Sequence, residues 1–136
     1  MKKKVHRVLL VDDDDDANFF QERLIRKNYF AESIDKASDG AEALEYLKKR
    51  IKENLALPEI IFLDLNMPKM DGWKFMDEYN KFSEEIKSKI TIIVLTSSIN
   101  PDDAAKAEKT PQVKGYKNKF LTANHLEEVL RIMPGS

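Results

Sequence analysis

The sequence predicts an α/β fold: a doubly wound, five-stranded parallel sheet with five helices. Three observations carry that prediction. Short continuous apolar runs end abruptly in acids or hydroxyls, the segments between them have helical periodicity, and two further strand candidates are polar enough only for sheet edges. At 136 residues, 42% hydrophobic and 35% charged, the chain has material for one domain with a solvated surface, expected over residues 5–133. Lys plus Arg number 23 against 24 Asp plus Glu, so no global basic field favours nucleic acid. Cysteine is absent, which removes disulfides, thiolate metal sites and cysteine nucleophiles together. Met1 to Lys4 is basic, but the apolar run after it, Val8 to Val11, is too short for a signal-peptide core or a membrane span. The expected location is therefore cytoplasmic. Pro134-Gly135-Ser136 reads as a tail, natural or added in cloning, and does not enter the fold prediction.

Val8-Leu9-Leu10-Val11 is the first buried strand, and it stops at five consecutive acids, Asp12 to Asp16. A helix over Ala17 to Lys27 follows, with Phe20 and Leu24 on one face; the acids before it suit the positive helix N-terminus. Ala31 to Ala37 is a weaker strand. Ser38-Asp39-Gly40 ends it, and Asp39 with Glu42 has capping-box spacing for a helix that buries Ala43, Leu44, Leu47 and Ile51. Ile60-Ile61-Phe62-Leu63, bounded by Pro58 and Pro68, is a third, fully buried strand that carries Asp64 to its end. Asp71-Gly72 turns into a helix from Trp73 to about Phe82, with Trp73, Met76 and Tyr79 on one face. Ile90 to Leu95 is the fourth strand, followed by Thr96-Ser97-Ser98. Asn100-Pro101-Asp102-Asp103 supplies a cap, a proline at the first helical position and acids for a short helix ending near Thr110. Val113 to Lys117 is the fifth strand. Thr122 caps a last helix with Leu126, Val129, Leu130 and Met133 at i, i+3, i+4, i+7.

Strands one, three and four are continuously apolar, as strands covered on both faces must be, whereas two and five are mixed. The order 2-1-3-4-5 puts the mixed pair at the edges, which is the flavodoxin-like arrangement, and its switch point falls between strands one and three. There Asp12 and Asp13 would face Asp64. Three converging carboxylates repel and raise at least one pKa unless a cation intervenes. Hard oxygen donors with open positions suit Mg²⁺, beside which Asp64 could act as a nucleophile toward phosphorus. A calcium loop starting at Asp12 is excluded, because its sixth and twelfth positions hold Ala17 and Arg23 where glycine and glutamate are needed.

Four pieces then carry a resemblance: Leu9-Leu10-Val11-Asp12-Asp13, Asp64 through Gly72, Val94-Leu95-Thr96-Ser97, and Gly115-Tyr116-Lys117-Asn118-Lys119. Together the chain resembles a stand-alone receiver domain of the two-component response regulator family, similar to chemotaxis regulators, from about Val5 to Met133. The resemblance implies that Asp64 is the phosphoacceptor. Asp12, Asp13, Asp64 and the backbone carbonyl of Asn66 would bind Mg²⁺. Thr96 would bond a phosphoryl oxygen, Lys119 would pair with the phosphoryl group, and small Ser97 would leave access to it. Asn66 and Ser98 would tune self-dephosphorylation.

Tyr116 matches the family's aromatic switch, which alters the surface of the fourth helix, fifth strand and fifth helix; a half-buried edge-strand tyrosine also needs no such role. Implied partners are a histidine kinase or histidine phosphotransfer protein and a downstream protein, without direct nucleic-acid or membrane contact, the chain being a monomer or a phosphorylation-dependent homodimer. At 136 residues, a DNA-binding output domain is not expected in the sequence. The implied role is that of a phosphoacceptor and not of a turnover enzyme. Two other readings stay open: an aspartyl-nucleophile phosphohydrolase, which generally needs an acid where this chain has Asn66, and a receiver-like module that never uses the phosphate. The family's lysine usually precedes a cis proline, but here Phe120 follows Lys119. A cis bond without proline costs on the order of 2.5–4 kcal/mol, so a trans bond or remodelled loop is expected, with Lys117 as the fallback cation. His6 and His125 are isolated and read as surface residues.

Overall fold

Burial alternates along the central strands in a way that fixes the architecture. Leu9, Val11, Ile61, Leu63 and Ile92 point into one apolar core, while Val8, Leu10, Ile60, Phe62, Ile93 and Leu95 point into another on the opposite face. In the computed structural model, which describes residues 5–67 and 70–133, a five-stranded sheet therefore separates two helical layers. Met1 to Lys4, Pro68 and Lys69 of the motif after Asp64, and Pro134-Gly135-Ser136 lie outside the described residues.

Strand β1 (Val5–Val11) leads to α1 (Asp15–Lys27), β2 (Ala31–Ala37), α2 (Gly40–Lys52) and β3 (Ile60–Leu63). Then come α3 (Gly72–Tyr79), a one-turn α4 (Glu84–Lys87), β4 (Thr91–Thr96), α5 (Pro101–Glu108), β5 (Val113–Asn118) and α6 (Ala123–Ile132). All strand pairs are parallel, in the order β2-β1-β3-β4-β5. The predicted sheet and order are thus the observed ones. Helices α2 and α3 pack Leu44, Leu47, Phe75, Met76 and Tyr79 on the first core. Helices α1 and α6 pack Ile25, Leu126 and Val129 on the second. Each fully buried aliphatic side chain contributes about 1.5–3 kcal/mol relative to exposure, so both layers are held by apolar contact. Among the described residues, no helix is long and apolar enough to cross a membrane.

Five details correct the sequence reading. Six helices form, because Ser83 accepts the N–H of Ile86 and starts the turn α4, too short to show apolar periodicity. Helix α1 buries Ala17, Asn18, Gln21 and Ile25, and Phe20 stays 61% exposed with its ring 5.6 Å from that of Phe120. Asp39 does cap α2, but the carboxylate of Glu42 takes the N–H of Ser38 in place of that of Asp39. His125 is half-buried and structural: its Nδ1 accepts the N–H of Thr122 while Thr122 Oγ1 accepts that of His125. The Lys119–Phe120 bond is cis, not trans. The N–H of Lys119 donates to the Thr96 carbonyl at 2.9 Å, so the segment after β5 is tied back to the end of β4.

Candidate functional site

Register brings the acids together. Val11 lies opposite Leu63 and Leu63 opposite Val94, so the residues that follow β1 and β3 emerge side by side at the carboxyl edge of the sheet. The N–H of Asp64 donates to the Val11 carbonyl at 3.0 Å, and that of Asp12 to the Ala37 carbonyl at 3.1 Å, which extends both ladders by one bond and fixes both acids. Gly72 closes the far side: its N–H donates to the Leu65 carbonyl at 3.0 Å, and a Cβ there would stand 2.7 Å from the Asp64 carbonyl oxygen. Only glycine permits that approach.

Asp12 and Asp64 are buried, at 2% and 3% exposure, while Asp13 is exposed. One carboxylate oxygen from each lies within 4.8 Å of the others. Lys119 completes the group, with Nζ 2.9 Å from Asp12 Oδ2 and 3.3 Å from Asp64 Oδ2. Lys117 instead pairs with Glu128 on α6, so it does not reach the acids. Burial pushes the Asp64 carboxyl up, and the charge of Asp12 pushes it further; Lys119 and the N–H of Asn66, 3.4 Å from Oδ1, work in the opposite direction. Burial opposes the Lys119 ammonium, but the bond to Asp12 and the charges of both acids outweigh it and hold its pKa above the ordinary value. One ammonium thus faces three carboxylates, which leaves an excess of negative charge. The all-oxygen donor set fits a hard divalent cation such as Mg²⁺.

The remaining predicted residues are distributed around this centre. Thr96 is fully buried at the end of β4, and its Oγ1 accepts the N–H of Ser98 at 3.1 Å. Ser97 and the side chain of Asn66 are exposed. Ser98 directs its hydroxyl to Asp103 Oδ2 at 2.6 Å and accepts the N–H of Asn100 at 3.2 Å. Tyr116 is half-buried on β5; burial raises its phenol pKa, Asp103 adds to the effect, and a hydrogen bond with Ser98 opposes it. Tyr116 therefore sits at the Ser98–Asp103 pair.

Two contributors carried no sequence signal. Asn18 donates its amide to the Asp12 carbonyl at 2.9 Å from the buried face of α1. Asp103 looked like an ordinary helix-start acid, but it receives both Ser98 and the indole N–H of Trp73, at 3.1 Å. Acids at a strand end advertise themselves by clustering; an amide on a buried helix face does not.

The response regulator receiver domain profile matches residues 8–131. The probable methanogenesis regulatory protein FilR2 of Methanothrix harundinacea is 30% identical over 90% of this chain and 77% of its own length. A two-component response regulator from Cytophaga hutchinsonii, solved by crystallography, superposes with a TM-score of 0.88 at 36% identity, covering 95% of this chain and 96% of its own. The manganese-bound form of response regulator Rcp1 superposes with a TM-score of 0.73 at 27% identity, covering 93% and 91%; in sequence, Rcp1 of Synechocystis is 28% identical over 94% of this chain and 84% of that protein. With the sheet order, the register and the acid cluster agreeing, the chain belongs to the response regulator receiver domain family.

Proposed function

We propose that this receiver accepts a phosphoryl group on Asp64 from a phosphohistidine on a histidine kinase or a phosphotransfer protein, and signals by protein contact. The observation that carries the reading is the convergence of Asp12, Asp13 and Lys119 on Asp64, which faces a carboxylate with both a cation-binding acid pair and an ammonium. A carboxylate oxygen of Asp64 forms a bond to phosphorus while the phosphorus–nitrogen bond of the donor breaks. The electron pair leaves on the imidazole nitrogen, which takes up a proton.

Asp12, Asp13 and Asp64, with the backbone carbonyl of Asn66, would hold Mg²⁺, which supplies charge neutralisation at the phosphoryl oxygens. The manganese-bound state of the relative Rcp1 supports a divalent cation in this role. Lys119 pairs with a phosphoryl oxygen, and Thr96 donates its hydroxyl to another. Asn66 and Ser98 flank the bond that water must attack and set its lifetime. Tyr116 responds to Thr96, and the surface of α5, β5 and α6 carries the change to a protein target, as a monomer or a phosphorylation-dependent homodimer.

The test uses acetyl phosphate and Mg²⁺ with wild type and Asp64→Asn, followed by intact mass. Wild type gains one phosphate and the variant none. Equal gain in both, or gain in neither, refutes the assignment.

A further inference from the structure

Beyond Thr96 lies a second polar junction that the acid cluster does not use. Asp103 on α5 accepts the indole N–H of Trp73 on Oδ1 at 3.1 Å and the hydroxyl of Ser98 on Oδ2 at 2.6 Å. These bonds hold its carboxyl below the usual range, Ser98 contributing more than Trp73. The bland alternative, an acid placed to cap α5, does not describe it: Asn100 is the cap, taking the N–H of Asp102 at 2.9 Å. Both oxygens of Asp103 bond side chains that lie outside α5. Lys106, one turn on, sets its ammonium 4.8 Å from the centre of the Trp73 ring, which closes the junction from the α5 side.

The connections lead back to the reactive edge. Ser98 is held at its hydroxyl by Asp103 and Asn100, and its own N–H holds Thr96 Oγ1 at 3.1 Å. Because that N–H bonds a lone pair, the Thr96 hydroxyl hydrogen stays free to be donated elsewhere. Trp73 belongs to α3, whose first residue, Gly72, backs onto Asp64. One carboxylate therefore fastens the loop that orients Thr96 to the helix that abuts the phosphoacceptor strand.

We propose that Asp103 is a positioning residue for phosphoryl transfer: through Ser98 it preorganises the Thr96 hydroxyl, and through Trp73 it registers that loop against α3. This rests on the reading of Asp64 as the phosphoacceptor. Loosening a donor that must meet developing charge lowers the rate of the step without altering cation binding elsewhere in the site.

The experiment follows phosphate gain over time by intact mass, with acetyl phosphate and Mg²⁺, in wild type, Asp103→Ala and Asp103→Asn. The Mg²⁺ midpoint is read in parallel by thermal shift. Trp73 is the only tryptophan in the sequence, so its emission reports the junction directly. Asp103→Ala is expected to load at least about threefold more slowly at an unchanged Mg²⁺ midpoint, Asp103→Asn to recover most of the rate by keeping an acceptor, and the emission change on loading to be smaller in the alanine variant. A wild-type loading rate in Asp103→Ala overturns the proposal while leaving the phosphoacceptor reading intact. Wild type that takes no phosphate sinks both. If Asp103→Ala does not fold, Asp103→Leu removes both acceptors while keeping the volume of the side chain, leaves Ser98 in place and is judged by the same rate.

Discussion

Gly72 backs directly onto Asp64: a Cβ on the glycine would stand 2.7 Å from the Asp64 carbonyl oxygen and 3.0 Å from the Leu65 Cα. Both obstacles are backbone, so no side chain can swing aside. Gly72→Ala is expected to cost about 1–3 kcal/mol, the range for forcing atoms into a packed site, and to lower the melting temperature by several degrees. It should also slow phosphoryl loading, since the strain falls on the strand end that carries Asp64. A melting temperature equal to wild type would show that this contact is looser than drawn.

Charge at Asp64 has a stability consequence of definite sign. Its folded pKa is raised, first by burial and then by Asp12. Proton binding at Asp64 therefore favours the fold fully below the unfolded value of about 3.9, and that benefit is lost as pH rises through the raised folded value. At pH 7 the ionised group is a net cost. Asp64→Asn, which keeps the shape and removes the charge, should melt higher than wild type at pH 7 without divalent cation, with the gap narrowing on acidification. A variant that melts lower at pH 7 would contradict the electrostatic account.

Mg²⁺ should stabilise the protein by mass action. At a free concentration one hundred times the dissociation constant, the gain is about 2.7 kcal/mol. Asp13 is the exposed member of the acid group, so Asp13→Ala removes an oxygen donor without opening a core cavity. That variant should fold normally and need more Mg²⁺ for the same rise in melting temperature. An identical Mg²⁺ titration for both proteins would exclude Asp13 as a ligand.

Tyr79 is fully buried against Phe75 and Phe82, and its hydroxyl finds no hydrogen-bond partner among the described residues. Desolvation without a partner is a standing cost. Tyr79→Phe should therefore leave the melting temperature unchanged or raise it, by urea or thermal unfolding. A loss above about 1 kcal/mol would mean that the hydroxyl has a partner in solution.

The sheet was readable because its physics is one-dimensional. Val8 to Val11, Ile60 to Leu63 and Ile92 to Leu95 are buried on both faces, so each had to be apolar throughout, and the mixed β2 and β5 could only lie outside them. Asp12 and Asp64 were readable because an acid ending such a run has few structural excuses. In the sequence, Lys119 was distinguished from Lys117 only by the Gly115-Tyr116 anchor, since parity alone puts both lysines on one strand face; in the structure β5 ends at Asn118 and the two lysines go to different partners. What stayed hidden depends on contacts between distant segments. The bond from Trp73 to Asp103 joins two helices with no shared periodicity, and α4 is one turn long. Phe20 misled because a phenylalanine at helical spacing from Leu24 reads as core, while the polar Asn18 and Gln21 occupy the buried face.

The ion pairs of Lys119 with Asp12 and Asp64 join the loop after the first strand to the residue just past the fifth. Those groups follow β1 and β5, the first and last strands of the sheet in chain order, and closing so long a loop is among the slower events in folding. A sheet without β5 beside β4 would leave Asp64 without its ammonium. Loading by a small phosphodonor could therefore double as an assay of completed assembly.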